Sequence, residues 1–322
     1  MAEARRSRRP TLVLAALTLL AIVAVAAFMT LGARGSWDFV IPFRGRRLLV
    51  LVTVAYAVAV STVLFQTATA NRILTPSIMG FDALFVLVRT LVVAFFGTGM
   101  LVAFDPHARF LLDVALMVGF SFALFRWLFA GEERSLHRLV LVGIVFGILF
   151  RSLSTFIQRL LDPNAFQVLQ DTLFASFSGV DTTLLGISLV LVGAVSLVLW
   201  RIGHCFDILS LGRATAIGLG VDYRRSVMTI LVAVSVLVAV STALVGPITF
   251  FGLLVASLAR ALLGESRHRV LLPAAVLLAV VALVGGQTVL ERVFAFDTAL
   301  SIIVEFLGGL VFLILVIRGA VR

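Results

Sequence analysis

Residues 48–69 read LLVLVTVAYAVAVSTVLFQTAT, a run with no charge whose polar members are hydroxyls and one amide. A helix crossing about 30 Å of hydrocarbon needs about 20 apolar residues. A helix half-buried in a water-soluble protein would show a polar stripe along one side, and this run has none. Comparable runs recur at 11–31, 78–96, 109–129, 136–156, 183–202, 227–245, 250–263, 270–290 and 299–317. The chain is 61% hydrophobic and 13% charged, with a mean hydropathy of +1.18. Soluble domains hold roughly 45–50% apolar and about 25% charged residues. The reading is therefore an all-α, polytopic membrane protein of about ten transmembrane helices. It forms one domain over 1–322 and leaves no length for a catalytic or nucleotide-binding module. The run at 250–263 is short for a span and reads as tilted, protein-covered or broken.

All 26 basic residues are Arg, and the net charge is +10. In a soluble protein this balance would suggest nucleic acid. In a polytopic one it first reports orientation, because basic loops stay cytoplasmic. With the N-terminus inside, 17 arginines fall on inner segments and 8 on outer ones, and Arg89 lies within the third helix. The expectation is a multi-pass protein of the cell membrane, lipid around it, no nucleic-acid partner, and both termini cytoplasmic. Residues 1–10 read as a basic cytoplasmic tail, and 11–31 as a retained first helix rather than a signal peptide. Half of the outer arginines cluster at 34–47, between the first two helices, against the rule.

Sites for bond chemistry are scarce. His107, His137, His204 and His268 are scattered over predicted loops and read as solvated surface residues, since metal sites need grouped ligands. No metal site and no bound cofactor are expected. A phosphate loop requires Lys, which the chain lacks, so any ATP-Mg is used by another subunit. The lone Cys205 excludes an internal disulfide. Asp82, Arg89, Asp113 and Glu305 fall in predicted spans. Asp82 and Asp113 read as lying near water at helix ends, and Asp82 and Arg89 are too far apart along their helix to pair directly. No short-period repeat is apparent.

Two stretches carry more information. Residues 205–225, CFDILSLGRATAIGLGVDYRR, are too polar to span. Leu211-Gly212 and Leu219-Gly220 enclose a short amphipathic segment at 213–218, with glycines at both ends to turn the chain. This predicts a helix lying along the membrane, with Leu209, Leu211, Ala214 and Ile217 available for contact. Residues 246–264, GPITFFGLLVASLARALLG, open with a chain break at Gly246-Pro247, and small residues including Gly252 suit close helix packing. Asp162-Pro163 starts a partly amphipathic helix within 158–179, expected at the outer surface.

Five separated motifs make the sequence resemble the FecCD family of ABC permeases, importers of iron-siderophores, haem and cobalamin. Arg44 and Arg47 match an R-x-x-R pair at the start of the second helix. Gln66 closes that helix, and Asn71, Pro76 and Gly80 match N-P-L-A-x-P-x-x-L-G. Leu211, Gly212, Ala216, Leu219 and Gly220 match L-G-x-x-x-A-x-x-L-G. Gly246, Ile248, Phe250, Gly252 and Leu253 match G-x-I-x-F-x-G-L. The resemblance runs from Trp37 to the C-terminus. Two departures stand out: Asn71 is followed by Arg72 instead of Pro, and Ala256-Ser257 replaces a common Pro-His. The subgroup resembled pairs with catecholate or petrobactin-type siderophore systems.

The resemblance implies a type II importer permease that catalyses no bond chemistry itself. Its partners would be a second, homologous permease, two ATPase subunits and an extracellular substrate-binding lipoprotein that delivers a ferric siderophore. The segment with Leu209, Leu211, Gly212, Ala216, Leu219 and Gly220 would couple to the ATPase. Arg44, Arg47 and Arg292 would receive acidic residues of the binding protein. Gln66, Asn71, Pro76, Gly80, Gly246, Phe250 and Gly252 would belong to the pathway or its support. The second, fifth and eighth helices and the 158–179 segment would wall the pathway, which works by alternating access. An ion-driven carrier would leave the Leu-Gly segment without a partner, and a membrane-embedded enzyme would need a polar cluster at one depth. A non-transporting scaffold, and the same family with haem or cobalamin as cargo, are the remaining alternatives.

Overall fold

The computed structural model describes residues 2–33, 36–129, 136–173, 177, 181–264 and 267–292, together with 303, 306, 308–310, 313, 314 and 317. Between residues 2 and 292 the described chain forms thirteen helices and one 3-10 turn. They are α1 (Ala2–Thr30), α2 (Trp37–Ala68), α3 (Phe81–Phe96), α4 (Thr98–Ala103), α5 (Pro106–Phe129), α6 (Leu136–Gln158) and α7 (Pro163–Leu173). Then follow α8 (Thr182–Arg201), α9 (Gly203–Leu209), α10 (Arg213–Gly218), α11 (Tyr223–Val245), α12 (Phe251–Leu263) and α13 (His268–Arg292), with the 3-10 turn at Pro76–Met79 before α3. Seven of them, α1, α2, α5, α6, α8, α11 and α13, contain stretches long and apolar enough to cross a membrane. The third and eighth expected spans are α3 and the 13-residue α12. The tenth, at 299–317, lies largely outside the described residues, as does Glu305.

Helix α2 is the axis of the bundle. From Val50 to Ala68 almost every residue is buried, whichever way it points. A helix apolar on all sides must be enclosed by others, and α1, α8, α11, α12 and α13 all pack on it. The outer helices keep bare faces. Along α6, Leu141, Val145, Ile148, Leu149 and Phe156 are exposed, as a surface facing lipid or another subunit requires.

The boundaries of two expected elements move. Helix α2 begins at Trp37 instead of 48, so Arg44, Arg46 and Arg47 lie on its opening turns and not in a loop. The charges hid this from hydropathy, although Arg is a good helix former. Likewise α1 runs from Ala2, so the expected tail at 1–10 continues the helix. The segment at 158–179 holds α7. Its first turn is capped by the Asp162 carboxylate, which accepts from the N–H groups of Asn164 and Ala165 at 3.0 and 2.9 Å.

A five-residue run occurs twice in the bundle. Val58-Ala59-Val60-Ser61-Thr62 in α2 recurs as Val238-Ala239-Val240-Ser241-Thr242 in α11. The serines adopt the same pose, Ser61 donating to the Val58 carbonyl and Ser241 to the Val238 carbonyl, each at 3.1 Å. Each copy is followed by a break and then a short helix, α3 after residues 69–80 and α12 after residues 246–250. The two copies line one small cavity of about 20 Å³ with Thr75, Asp82, Thr249 and Gly252.

Two close approaches hold the first break in place. Gly80 sits at φ 89° between the 3-10 turn and α3, and a Cβ there would lie 3.0 Å from the Gly147 backbone. A Cβ on Gly143 would meet Met79 at 3.1 Å. The G-I-V-F-G run at 143–147 of α6 thus receives a re-entrant turn, where such spacing more often receives a second helix.

Candidate functional site

At one end of the bundle the arginines are engaged within the chain. The C-terminus of α1 leaves carbonyls without helical partners, and Arg44 reaches them. It donates to Phe28, Met29, Leu31 and Gly32 at 2.7, 3.2, 2.9 and 3.1 Å. Arg292, the last residue of α13, donates to the Leu31 carbonyl at 2.5 Å. Arg47 pairs with Glu291 at 2.7 Å, both side chains mostly covered. So Arg44 and Arg292 lock α1 to α2 and α13. Of Arg44, Arg46 and Arg47, Arg46 is the exposed one.

Between the ends, Arg89 of α3 and Asp113 of α5 are both buried and form an ion pair. Arg89 also lies 4.9 Å from the centre of the Phe85 ring, and Gln158 of α6 donates to Thr90 at 3.0 Å. This corrects the expectation that water reaches Asp113. Arg89 finds its carboxylate on a neighbouring helix, 24 residues away. Asp82, the other carboxylate read as close to water, is buried as well and accepts from Thr249 at 3.2 Å. Gly252 packs so tightly on Val58 and Thr62 of α2 that any side chain would collide with Thr62. Gly246 ends α11 at φ 101° and Phe250 opens α12, half exposed. Pro76 starts the 3-10 turn, and the Asn71 side chain accepts from the Ile73 N–H at 3.0 Å.

The opposite end carries the polar segment. It forms two short helices, α9 and α10, joined at Ser210–Gly212. Gly212 at φ 94° and Gly220 at φ 81° bracket α10, in a backbone region that side chains resist. Leu209 and Ala216 are buried and fasten the segment to the bundle. Leu209 is therefore an anchor and not a free contact residue. Leu211, Ile217 and Leu219 point outward, each more than half exposed. Three bare apolar side chains on six residues of helix and its flanks form a small, sharply presented knob.

Beside the knob opens a cleft of about 730 Å³, lined by residues of α2, α9, α12 and α13. The Asp207 carboxylate of α9 accepts from the His268 backbone N–H at 2.8 Å and bonds the ring Nδ1 at 2.7 Å. The ring's Nε2 lies 2.7 Å from the Thr67 hydroxyl in the last turn of α2. That hydroxyl also faces the Val63 carbonyl at 2.9 Å, and its single proton serves one of the two. Next along α2, Gln66 donates to the Arg72 carbonyl at 2.7 Å and accepts from Arg260 of α12 at 2.8 Å. Burial pushes the Asp207 carboxyl up, but the N–H and ring of His268 outweigh it and hold the group below the ordinary carboxylate range. His268 is 7% exposed, which overturns its reading as a solvated surface residue. Its partners lie 61 and 201 residues away, a pairing that residue order does not disclose. Among the described residues no group of three or more potential metal ligands exists.

Seven apolar spans packed around a buried central helix, with a short segment that presents bare apolar side chains at one end, have the build of a membrane transport protein. Comparison with known proteins gives the particular family: residues 11–318 match the FecCD transport family, and the chain belongs to it. It is 46% identical over 299 residues to the petrobactin import system permease protein YclO of Bacillus subtilis, covering 93% of this chain and 95% of that one. It is 36% identical over 281 residues to the petrobactin import system permease protein FatC of Bacillus anthracis, covering 86% and 79%. Among solved structures, one described as a metal-chelate type ABC transporter in an inward-facing conformation superposes with a TM-score of 0.80. That match covers 96% of this chain and 99% of the other at 24% identity, and it bears on the fold.

Proposed function

We propose that this chain is the permease subunit of an ABC importer that carries a ferric siderophore inward by alternating access. The observation that carries the reading is the knob: Leu211, Ile217 and Leu219 stand exposed on a segment whose own anchors, Leu209 and Ala216, are buried. Exposed apolar groups outside the spans call for a protein to cover them, and a separate ATPase is the partner that fits. Family membership and the petrobactin permeases support both the machine and the cargo class.

On this reading the knob end is cytoplasmic, as are both termini, and the Arg44 end faces outward, where a substrate-binding lipoprotein docks. A second, homologous permease covers bare apolar surface of the bundle, and ATP-Mg is hydrolysed on the two ATPase subunits. Arg44, Arg47 and Arg292 shape the docking face by fixing the end of α1, and Arg46 offers the exposed charge. Gln66, Asn71, Pro76, Gly80, Gly246, Phe250 and Gly252 hold the breaks and helix ends that the rearrangement uses.

The test is reconstitution of the chain with its neighbouring permease, ATPase and lipoprotein in proteoliposomes, offered radioiron-loaded petrobactin, ferric enterobactin or cobalamin. Uptake of an iron chelate that needs ATP and the lipoprotein is the expected result. Uptake that proceeds without ATPase and collapses with the ion gradient would make the protein a secondary carrier. Uptake of cobalamin alone would overturn the cargo.

A further inference from the structure

We infer that Asp207 and His268 form the joint through which movement of the α9–α10 segment reaches the transmembrane helices. The inference rests on the importer reading above and assigns the residues that carry the movement.

The first observation is directional bonding. Apolar contacts such as those of Cys205, Phe206 and Leu209 hold α9 against the bundle, but such contacts permit sliding. Asp207 does not. One carboxylate oxygen takes both the backbone N–H and the ring nitrogen of His268, so distance and orientation are fixed together. His268 is the first residue of α13, where N–H groups lack helical partners and the helix end favours negative charge. Asp207 therefore caps α13 from another element, and wherever α9 goes the start of α13 is pulled with it.

The second observation is continuity. The His268 ring passes the connection to Thr67 of α2. Its neighbour Gln66 passes it to Arg260 of α12 and to the carbonyl of Arg72, in the chain leading to the re-entrant turn. Each link spans 2.7–2.8 Å. The helices so joined are α9, α13, α2 and α12.

The third observation is room. The chain of bonds borders the cleft of about 730 Å³, so α9 can shift without driving side chains into packed neighbours. Asp207 is open to this space while His268 is closed off, at 43% and 8% side-chain exposure. Asp207 and His268 act as positioning residues; neither needs to touch the cargo.

The test uses the full reconstituted transporter and compares Asp207→Ala, Asp207→Asn, His268→Ala and the Asp207→Ala/His268→Ala double variant. Chelate imported per ATP hydrolysed is the readout, with co-purification of the ATPase as the control for assembly. Asp207→Ala is expected to keep ATP hydrolysis and lower import per ATP by about tenfold, within the range of coupling energies between sites. Asn retains an acceptor oxygen, so Asp207→Asn recovers a substantial part. The double variant is no worse than either single one, because a joint broken once cannot break again. Wild-type import per ATP in Asp207→Ala overturns the inference, as does a double variant whose losses multiply. Should Asp207→Ala fail to assemble, Asp207→Asn and His268→Ala decide alone: unchanged import per ATP in both overturns the joint. An absence of ATP-driven uptake in the wild-type complex would instead remove the importer reading, a result these variants do not mimic.

Discussion

Arg89 and Asp113 show how single residues in this bundle are constrained. A buried ion pair contributes little net stability, but removing one member strands the other charge, at a cost of about 3–5 kcal/mol. Arg89→Leu should therefore unfold far more readily in detergent, and the Arg89→Leu/Asp113→Leu double variant should recover most of the loss. Equal thermal midpoints for the single and double variants would show that the pair is not the cause. Arg44 makes a different case. It holds four carbonyls near the end of α1, so Arg44→Ala should speed hydrogen exchange in the last turn of that helix. Exchange unchanged from wild type would mean water replaces the guanidinium without loss. Arg44 was legible in the sequence as a motif residue, but its work as a cap was not, because the carbonyls it serves belong to backbone 12 to 16 residues away.

Elements are where sequence and structure agree best and where their differences are most instructive. Apolar runs located α5, α6, α8, α11 and α13 to within a few residues, since hydrocarbon length is a coarse and forgiving requirement. The segment at 213–218 was readable to the residue because glycines mark both of its edges. The start of α2 was not, because Arg44, Arg46 and Arg47 lower hydropathy without lowering helix propensity. The receiving groove on α6 was written as Gly143 and Gly147 but had no visible partner, since the turn that fills it lies more than 60 residues earlier. The glycines permit a sharp prediction. Gly212→Val places a branched side chain at φ 94°, and even the milder left-handed helical conformation costs about 1–2 kcal/mol per residue with a side chain. It should leave ATP hydrolysis running while import falls. Gly218→Ala, inside α10 with open space around it, should be neutral. Loss of import in both variants would indicate general damage to the segment.

For the molecule as a whole, the two ends differ in chemistry. One end offers Arg46 on a surface organised by Arg44, Arg47, Glu291 and Arg292. The other offers an apolar knob beside a cleft. If a binding lipoprotein docks at the arginine end as proposed, reversing the exposed charge with Arg46→Glu should slow its association at low ionic strength, and the difference should fade as salt shortens the screening length. Association rates that ignore the change at every salt concentration would place docking elsewhere. The repeat itself escaped the sequence reading, although VAVST is spelled out at 58–62 and again at 238–242. Five small apolar and hydroxyl residues are unremarkable in a membrane helix until the fold sets the two copies against one cavity. Because both copies border the same cavity of about 20 Å³, bulk added to one presses on the other, so the two runs can change size only in step.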